Sequence, residues 1–263
     1  MPVVPIASFI GGMVENTVNL VGNYMIFVGL SLRRMVHPRI NIGLLLAQLE
    51  FVGSRSFVIA VMAGIMVGGI FGFQLGEIFA IFGAESLIGA STGFALAREL
   101  APMVGAFLVT ARAGSAMAAE IASMKVNEQI DSMRVMSVDP FSYLMAPRIL
   151  ASMIAMPLIS IVMVFSGVVT SFVVGISFYS IDVADFFSKL EWIVDTEDLF
   201  MGMQKAALFG FVFSSIGCFE GYRARGGAKG VGRATTQAVV TSYVTILVLD
   251  FFITYIQFKF QSN

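Results

Sequence analysis

The sequence predicts an all-α integral membrane protein that crosses the membrane with five helices. Hydrophobic residues make up 57% of the chain and charged residues only 13%, a balance that is typical of membrane proteins. Apolar stretches recur at about the 20 residues that a spanning helix needs. Lysine and arginine are concentrated in alternate connecting segments. The predicted spans are 57–81, 86–111, 149–178, 199–219 and 236–258.

An amphipathic helix is expected before the first span. Its asparagines and Glu15 fall on other faces than its apolar residues, a pattern typical of a helix that lies in the membrane interface. A sixth span is the alternative, although the asparagines shorten the apolar part below the usual spanning length. We divide the single domain, 1–263, into an interfacial region, 1–55, and a five-span core, 56–263. The apolar residues at helical spacing are Val14, Val18, Val21, Met25, Val28 and Leu32.

The basic residues predict the orientation, because loops rich in lysine and arginine stay in the cytoplasm. Most of them fall on one side of a five-span layout, whereas Lys189, Lys205 and Lys259 fall on or near the other side with the acidic loop 180–199. The N-terminus and both basic loops are therefore expected in the cytoplasm and the C-terminus outside. The basic set is Arg33, Arg34, Arg39, Arg55, Arg112, Lys125, Arg134, Arg148, Arg223, Arg225, Lys229 and Arg233.

The first two spans carry small residues at every fourth position. This spacing lets helix backbones approach closely in lipid, where the hydrophobic effect does not draw helices together. A bulky apolar stripe occupies another face of the first span, and it either faces lipid or lines a cavity. The small residues are Gly64, Gly68, Gly72 and Gly76, then Gly89, Gly93, Ala97, Ala101 and Gly105; the bulky ones are Phe71, Leu75, Ile78, Phe79 and Phe82.

Two adjacent charges, Arg98 and Glu99, stand near the middle of the second span, within GFALARELAPMVGAF. An isolated charge at this depth costs about 2.5–3.5 kcal/mol on insertion scales, so such residues normally face a bundle interior or a cavity. Pro102 adds to the polarity, because its ring displaces the carbonyl of Arg98 from the helix ladder. Asp250 in the fifth span can reach a similar depth. Either Arg98 and Asp250 form a structural ion pair, or the charged groups face a substrate path.

No catalytic, metal or cofactor site is expected in this chain. Its single cysteine, Cys218, and single histidine, His37, give no disulfide, no metal-ligand cluster and no catalytic pair. The glycine-rich RGGAKGVGRATT is not a phosphate loop, because Gly230 follows Lys229 where a Ser or Thr is required. We interpret it as a flexible cytoplasmic turn. A net charge of −1 without runs of like charge gives no indication of nucleic-acid binding.

The segment between the second and third spans, 119–148, is too polar to cross a membrane. Asn127 is the predicted N-cap of a short helix, and Asp139 with Pro140 is the predicted start of the next one. Acidic residues beside apolar ones suggest that this helix docks on a partner, and a solvated linker is the alternative. The acidic residues are Glu120, Glu128 and Asp131, and the apolar ones are Ile121, Met124, Ile130 and Met133.

Two long motifs resemble MlaE-type permeases, the membrane subunits of ABC transporters that move phospholipids or related lipids across the bacterial envelope. They are ARELAPMVGAFLVTARAGSAMAAEIASMKVNEQIDSMRVMSVDP and GGAKGVGRATTQAVV. The resemblance extends from about Gly43 to the C-terminus, and the amphipathic N-terminus fits the family's interfacial helix. Ser137 departs from the family, which usually has glycine there, so the detailed shape of this turn is open.

The resemblance implies a homodimer in the bacterial inner membrane with a lipid pocket at the dimer interface. It also implies a cytoplasmic ATPase that binds the ATP, a periplasmic ring of MCE-domain subunits and, in many members, a STAS-domain protein. The segment 119–140 matches the coupling helix that contacts the ATPase, with Glu120, Glu128, Asp131, Met133 and Asp139 as candidate residues.

The candidate lipid site combines charges with apolar walls. Arg98 suits a phosphate headgroup because guanidinium can bind it at two points, and apolar side chains suit the acyl chains. The candidate residues are Arg98, Glu99, Phe71, Ile78, Phe79, Phe82 and Asp250. An ion-coupled secondary transporter and a membrane-embedded lipid enzyme are the alternatives; the first usually shows an internal repeat, and the second needs a nucleophile and base or a metal.

Overall fold

The computed structural model describes residues 3–35 and 41–261, with side chains for residue 15 and for residues 18–35 and 41–259. His37 and the side chains of Val14 and Asn16, which entered the predictions above, lie outside this part. The described residues are almost entirely helical and contain no β-strand. The helices are α1 (Val3–Met35), α2 (Ile42–Val52), α3 (Phe57–Phe82), α4 (Ile88–Ala95), α5 (Ala101–Val109), α6 (Ser115–Val126), α7 (Gln129–Val135), α8 (Ala146–Tyr179), α9 (Val183–Ile193), α10 (Thr196–Tyr222) and α11 (Gly227–Gln261).

Five stretches of the described chain are long and apolar enough to cross a membrane, which confirms the predicted fold class. Among the described residues, helix α1 is not one of these stretches. That α1 lies in the membrane interface stays a prediction. Each span extends beyond its predicted ends because the helices continue past the apolar part. The stretches are Ile42–Phe82, Glu85–Val126, Phe141–Tyr179, Thr196–Tyr222 and Gly227–Lys259.

Two predictions about connecting segments are wrong. The glycine-rich segment is not a flexible turn over most of its length, since α11 begins at Gly227 and only the positive φ angles of Gly226 and Gly227 mark the turn. The acidic loop contains helix α9, whose N-cap Asp182 accepts a hydrogen bond of 2.9 Å from the backbone N–H of Ala184. Phe186 of α9 is fully buried, so this helix packs against the bundle.

The glycine stripe of α3 forms a close contact with α8. Gly64, Gly68, Gly72 and Gly76 are all buried, and a methyl group on Gly68 would meet the backbone of Gly167 in α8. The prediction that these small residues permit close approach is therefore confirmed. The stripe fixes α3 on α8 and leaves its bulky residues on the remaining faces.

Helix α1 packs on the bundle through a face that the apolar pattern did not single out. Phe27 is buried, and its ring centroid lies 5.4 Å from that of Phe141 and 5.5 Å from that of Phe219. The predicted apolar face points away from the bundle, with Val18 63% and Met25 61% exposed. An interfacial helix needs this arrangement, because its outer apolar face lies in the lipid boundary.

Candidate functional site

Arg98 and Glu99 lie in a π-helical turn, Leu96–Leu100, between α4 and α5. The backbone N–H of Ala101 bonds to the carbonyl of Leu96, five residues back, and Pro102 follows. The predicted irregularity at this point of the helix is present, although its form is an inserted π turn. Such single turns are frequent at functional sites, since they redirect side chains within an otherwise regular helix.

Arg98 forms an ion pair with Asp198 in the first turn of α10. Its Nε lies 2.7 Å from Oδ1 of Asp198, and the two side chains are 18% and 5% exposed. Nη2 is 3.2 Å from the sulfur of Met201, and the guanidinium lies 4.8 Å from the ring centroid of Phe94. Gly202 makes this approach possible, because any side chain there would meet the carbonyl of Ala97.

Asp198 has a second role as part of the capping box of α10. Its Oδ2 accepts a 3.0 Å hydrogen bond from the backbone N–H of Asp195, while its own N–H bonds to the Asp195 carbonyl at 3.1 Å. One carboxylate therefore closes the first turn of α10 and neutralises Arg98.

Lys205, two turns further along α10, links the three elements of the site. Its ammonium group is fully buried, 2.6 Å from Oε2 of Glu99 and 3.3 Å from Oδ1 of Asp250. It also donates to Oγ1 of Thr254 at 2.7 Å, and that hydroxyl lies 2.8 Å from the Asp250 carbonyl on its own helix. Lys205 thus holds the π turn, α10 and α11 together at one point.

Of the two alternatives for Arg98, the structural pair with Asp250 is not the one that forms: Arg98 pairs with Asp198, and Asp250 pairs with Lys205. Neither Asp198 nor Lys205 was a candidate, because both were assigned to the outer side of the membrane. A signal was present, since Lys205 lies six residues inside the predicted span 199–219. A lysine at that depth requires a carboxylate partner for the same reason that Arg98 does.

Together the site contains two cations and three carboxylates and has a formal charge of −1. Exposure differs sharply within it: Lys205 is 0% exposed, whereas the side chain of Glu99 is 37% exposed. Glu99 is therefore the member of the network that reaches the protein surface most fully. We name Arg98, Glu99, Asp198, Lys205 and Asp250 the charged network.

The four apolar candidates on α3 belong to a different part of the molecule. Phe71 is half-buried, and Phe79 packs against the cluster that contains Ile88, Ile181 and Phe186. Ile78 and Phe82 are 51% and 77% exposed at the C-terminal end of α3. The structure thus brings Glu99 and Asp250 together through Lys205, while these four side chains pack apart from the charged network.

The segment 119–140, which we name the cytoplasmic segment after its predicted location, contains most of α6, a tight turn and α7. Asn127 is not the N-cap of α7, because its backbone N–H bonds to Ser123 at 3.0 Å and it closes α6 instead. Glu128 makes the turn with a φ of 57° and is exposed. Asp139 is confirmed as a cap, since its carboxylate accepts a 3.2 Å hydrogen bond from the N–H of Phe141.

Three of the candidate coupling residues have partners within the chain. Glu120 lies 2.9 Å from Arg148, and Asp139 lies 2.8 Å from Arg34 of α1. Asp131 accepts a hydrogen bond from Lys125, with 2.8 Å between Oδ2 and Nζ. The hydrogen bond and charge of Lys125, followed by the charge of Arg134, lower the pKa of Asp131 below its ordinary value.

The remaining surface of α7 is partly apolar. Ile130 is fully buried, and Met133 packs against the same cluster. At the C-terminal end of α7, Val135 and Met136 are 86% and 67% exposed. Ser137 has a φ of 61°, so this position adopts the left-handed backbone that glycine tolerates best.

No group of three or more histidine, cysteine, aspartate or glutamate side chains suited to a metal ion occurs among residues 3–35 and 41–261. Nor does the glycine-rich segment follow a strand, since α10 precedes it and α11 contains it. The site is a set of ion pairs that joins the π turn to α10 and α11.

The comparisons with known proteins agree with the motifs. The family model described as Permease MlaE matches residues 45–256. A probable ABC transporter permease protein of Rickettsia typhi is 35% identical over 97% of this chain and 98% of its own length. The intermembrane phospholipid transport system permease protein MlaE of Haemophilus influenzae is 33% identical over 82% of this chain and 83% of its own.

A plant protein is similar as well. TRIGALACTOSYLDIACYLGLYCEROL 1, a chloroplast protein of Arabidopsis thaliana, is 34% identical over 86% of this chain and 65% of its own length. The family match includes the π turn, the cytoplasmic segment and most of α11. This chain belongs to the MlaE permease family.

Proposed function

We propose that this protein is the permease subunit of an ABC transporter that moves phospholipids between the bacterial inner membrane and the outer envelope. The observation that carries the proposal is the match to the permease family over 45–256, together with a relative named for intermembrane phospholipid transport. Five apolar helices and the absence of a metal cluster in the described part suit a transport subunit. In this proposal a partner ATPase binds and hydrolyses ATP.

The cytoplasmic segment is the proposed contact with that ATPase. Asp131 and Lys125 brace α7 against α6, and buried Ile130 anchors it, so its position is defined without a partner. Glu128, Val135 and Met136 remain exposed at its two ends. A helix that is held in place on one side and exposes apolar and acidic groups on the other can bind an ATPase and pass its conformational change to the membrane helices.

The homodimer is proposed to form through the exposed face of α11. Only 11% of the most apolar window of this span is buried within the chain, far less than in the other spans. Glu99 lies beside this helix and reaches the surface, so a lipid pocket at the dimer interface would meet it. The exposed apolar residues of α11 include Val240, Val244, Leu247, Val248 and Phe251.

The lipid site is proposed to include Arg98, Glu99 and Asp250, with Phe71, Ile78, Phe79 and Phe82 on the apolar walls. In the resting chain Arg98 is already neutralised by Asp198, so a phosphate headgroup would have to compete for it. A periplasmic ring of MCE-domain subunits and a STAS-domain protein are proposed as partners on the family resemblance. The location in the bacterial inner membrane is proposed on the same ground.

Reconstitution tests the proposed function. The chain, its ATPase and the periplasmic ring protein are placed in vesicles that contain a fluorescent phospholipid, and transfer to acceptor vesicles is followed with and without ATP. We expect transfer that requires ATP and stops when the ATPase carries an inactive phosphate loop. Transfer that follows a proton or sodium gradient without the ATPase would instead support the secondary transporter, and covalent change of the lipid would support the enzyme.

A further inference from the structure

A cavity of about 720 Å³ lies between α1 and the ends of α6, α7 and α10. This volume is within the range of about 300–1,000 Å³ that is usual for small-molecule sites. It is at the end of the bundle that carries the basic residues, and none of the charged network lines it. It is therefore separate from the lipid site proposed above.

One side of the cavity is apolar. Leu20, Ile26 and Leu30 of α1 line it, and they are 40%, 64% and 42% exposed in the chain alone. Its floor is aromatic, because the ring centroids of Phe27 and Tyr222 lie 5.9 Å apart and both contact the ring of Phe141. Such a surface is suited to an acyl chain.

The other side is cationic. Lys125, Arg134, Arg223 and Arg225 line the cavity, and none of its described lining residues is acidic. Two carboxylates outside the cavity neutralise part of this charge: Asp131 lies beside Lys125 and Arg134, and Glu220 lies 3.6 Å from Arg223. The exposed Arg225 takes part in none of the ion pairs formed by the described residues.

We propose that this cavity binds one anionic phospholipid of the cytoplasmic leaflet. Its phosphate would lie between Arg225 and Arg134, and one acyl chain would lie along Leu20, Ile26 and Leu30. Basic pockets at the cytoplasmic ends of membrane helices attract anionic headgroups, and guanidinium groups match phosphate geometry. A free phosphate would leave the apolar wall uncovered, and a zwitterionic lipid would leave part of the positive charge uncompensated.

The bound lipid would join α1 to α7. Helix α1 supplies the apolar wall, while Arg134 belongs to α7. Since α7 is the proposed ATPase contact, the site would make its position depend on the anionic lipid content of the inner leaflet. This inference goes beyond the proposed function and does not require that the bound lipid be transported.

The test is native mass spectrometry of the full chain after delipidation in detergent, titrated with phosphatidylglycerol, with phosphatidylcholine and with inorganic phosphate as competitor. We expect one retained phosphatidylglycerol and weaker retention of phosphatidylcholine. Arg225→Gln should weaken phosphatidylglycerol binding about tenfold, since it removes one charge-assisted hydrogen bond, and Arg225→Lys should restore part of it. Arg33→Gln removes an exposed cation outside the cavity and should leave binding within about twofold of the original, because exposed charges are screened.

A second test variant and a matched control examine the apolar wall. Leu30 and Leu32 are both 42% exposed on α1, but only Leu30 lines the cavity. Leu30→Ser should weaken lipid binding about fivefold, consistent with loss of part of a leucine contact, whereas Leu32→Ser should not. Equal retention of both lipids, equal effects of Arg225→Gln and Arg33→Gln, or displacement by millimolar inorganic phosphate would each overturn the proposal.

Discussion

Replacing Lys205 by methionine tests the charged network most directly. The change keeps the approximate length of the side chain and removes the cation that lies beside both Glu99 and Asp250. Removing one partner of a buried ion pair costs about 3–5 kcal/mol, because a charge is left uncompensated. Since Glu99 is 37% exposed and partly solvated, we expect the lower end, about 3 kcal/mol. In a chain of 263 residues this corresponds to a fall in Tm of about 6–12 °C.

The assay is thermal unfolding of the purified protein in detergent. Lys229→Met is the matched control, because Lys229 is exposed on α11, and its Tm should stay unchanged within about 2 °C. The triple change Glu99→Gln, Lys205→Met and Asp250→Asn should recover most of the loss, since no charge is then left without a partner. Our reasoning would be refuted if Lys205→Met unfolded at the original temperature, or if the triple variant were no more stable than Lys205→Met.

A double-mutant cycle tests the reassigned partners. Arg98→Met and Asp198→Asn should show a coupling energy of about 0.5–3 kcal/mol, as residues in contact do. Arg98→Met and Asp250→Asn should be additive within about 0.5 kcal/mol, because they pair with different groups. Thermal unfolding measures both cycles. Strong coupling between Arg98 and Asp250, without coupling between Arg98 and Asp198, would restore the alternative in which Arg98 pairs with Asp250.

Three further predictions follow from local geometry. Gly68→Ala should destabilise the protein by about 1–3 kcal/mol, because its methyl group would meet the backbone of Gly167; the neighbouring Gly69→Ala, which meets only a side-chain methyl group, should be neutral or stabilising in the same thermal assay. The lowered pKa of Asp131 means that its stabilising pair is fully present above the ordinary value of 3.8 and is lost as the pH falls through the lower folded pKa; carboxyl carbon NMR should show this pKa, and Lys125→Met should raise it toward 3.8. Ser137→Gly should stabilise the turn by up to about 1 kcal/mol, because serine is strained at a φ of 61°; an unchanged or lower Tm would show that the turn tolerates serine.

The fold was predictable because its signals are local. Length and apolar content alone give the five spans, and the spacing of Gly64, Gly68, Gly72 and Gly76 predicts a close contact without naming its partner. Which helix is the partner, here α8, follows from how the helices pack in three dimensions. A single sequence shows no pattern from which that packing can be predicted. Helix α9 was missed because its acidic residues suggested a solvated loop, whereas buried Phe186 holds it on the bundle.

The sequence predicted which kinds of residue form the candidate site, but it did not predict which residues pair with each other. Charges in the middle of a span require partners, and Arg98, Glu99 and Asp250, which this argument selected, each have a partner in the charged network. It failed for Asp198 and Lys205, because residues near the end of a predicted span were treated as exposed. Pairing depends on the rotation and depth of each helix, and the π turn at Leu96–Leu100 changes both for the residues that follow.

The double use of Asp198 links the fraying of a helix end to the interior of the bundle. Opening the first turn of α10 would release the carboxylate from its cap and, in the same movement, withdraw it from Arg98. Conversely, any group that takes Arg98 away from Asp198 leaves an extra negative charge at the N-terminus of α10, where the helix dipole favours it. Amide hydrogen exchange in this single turn would therefore report whether Arg98 is paired with Asp198.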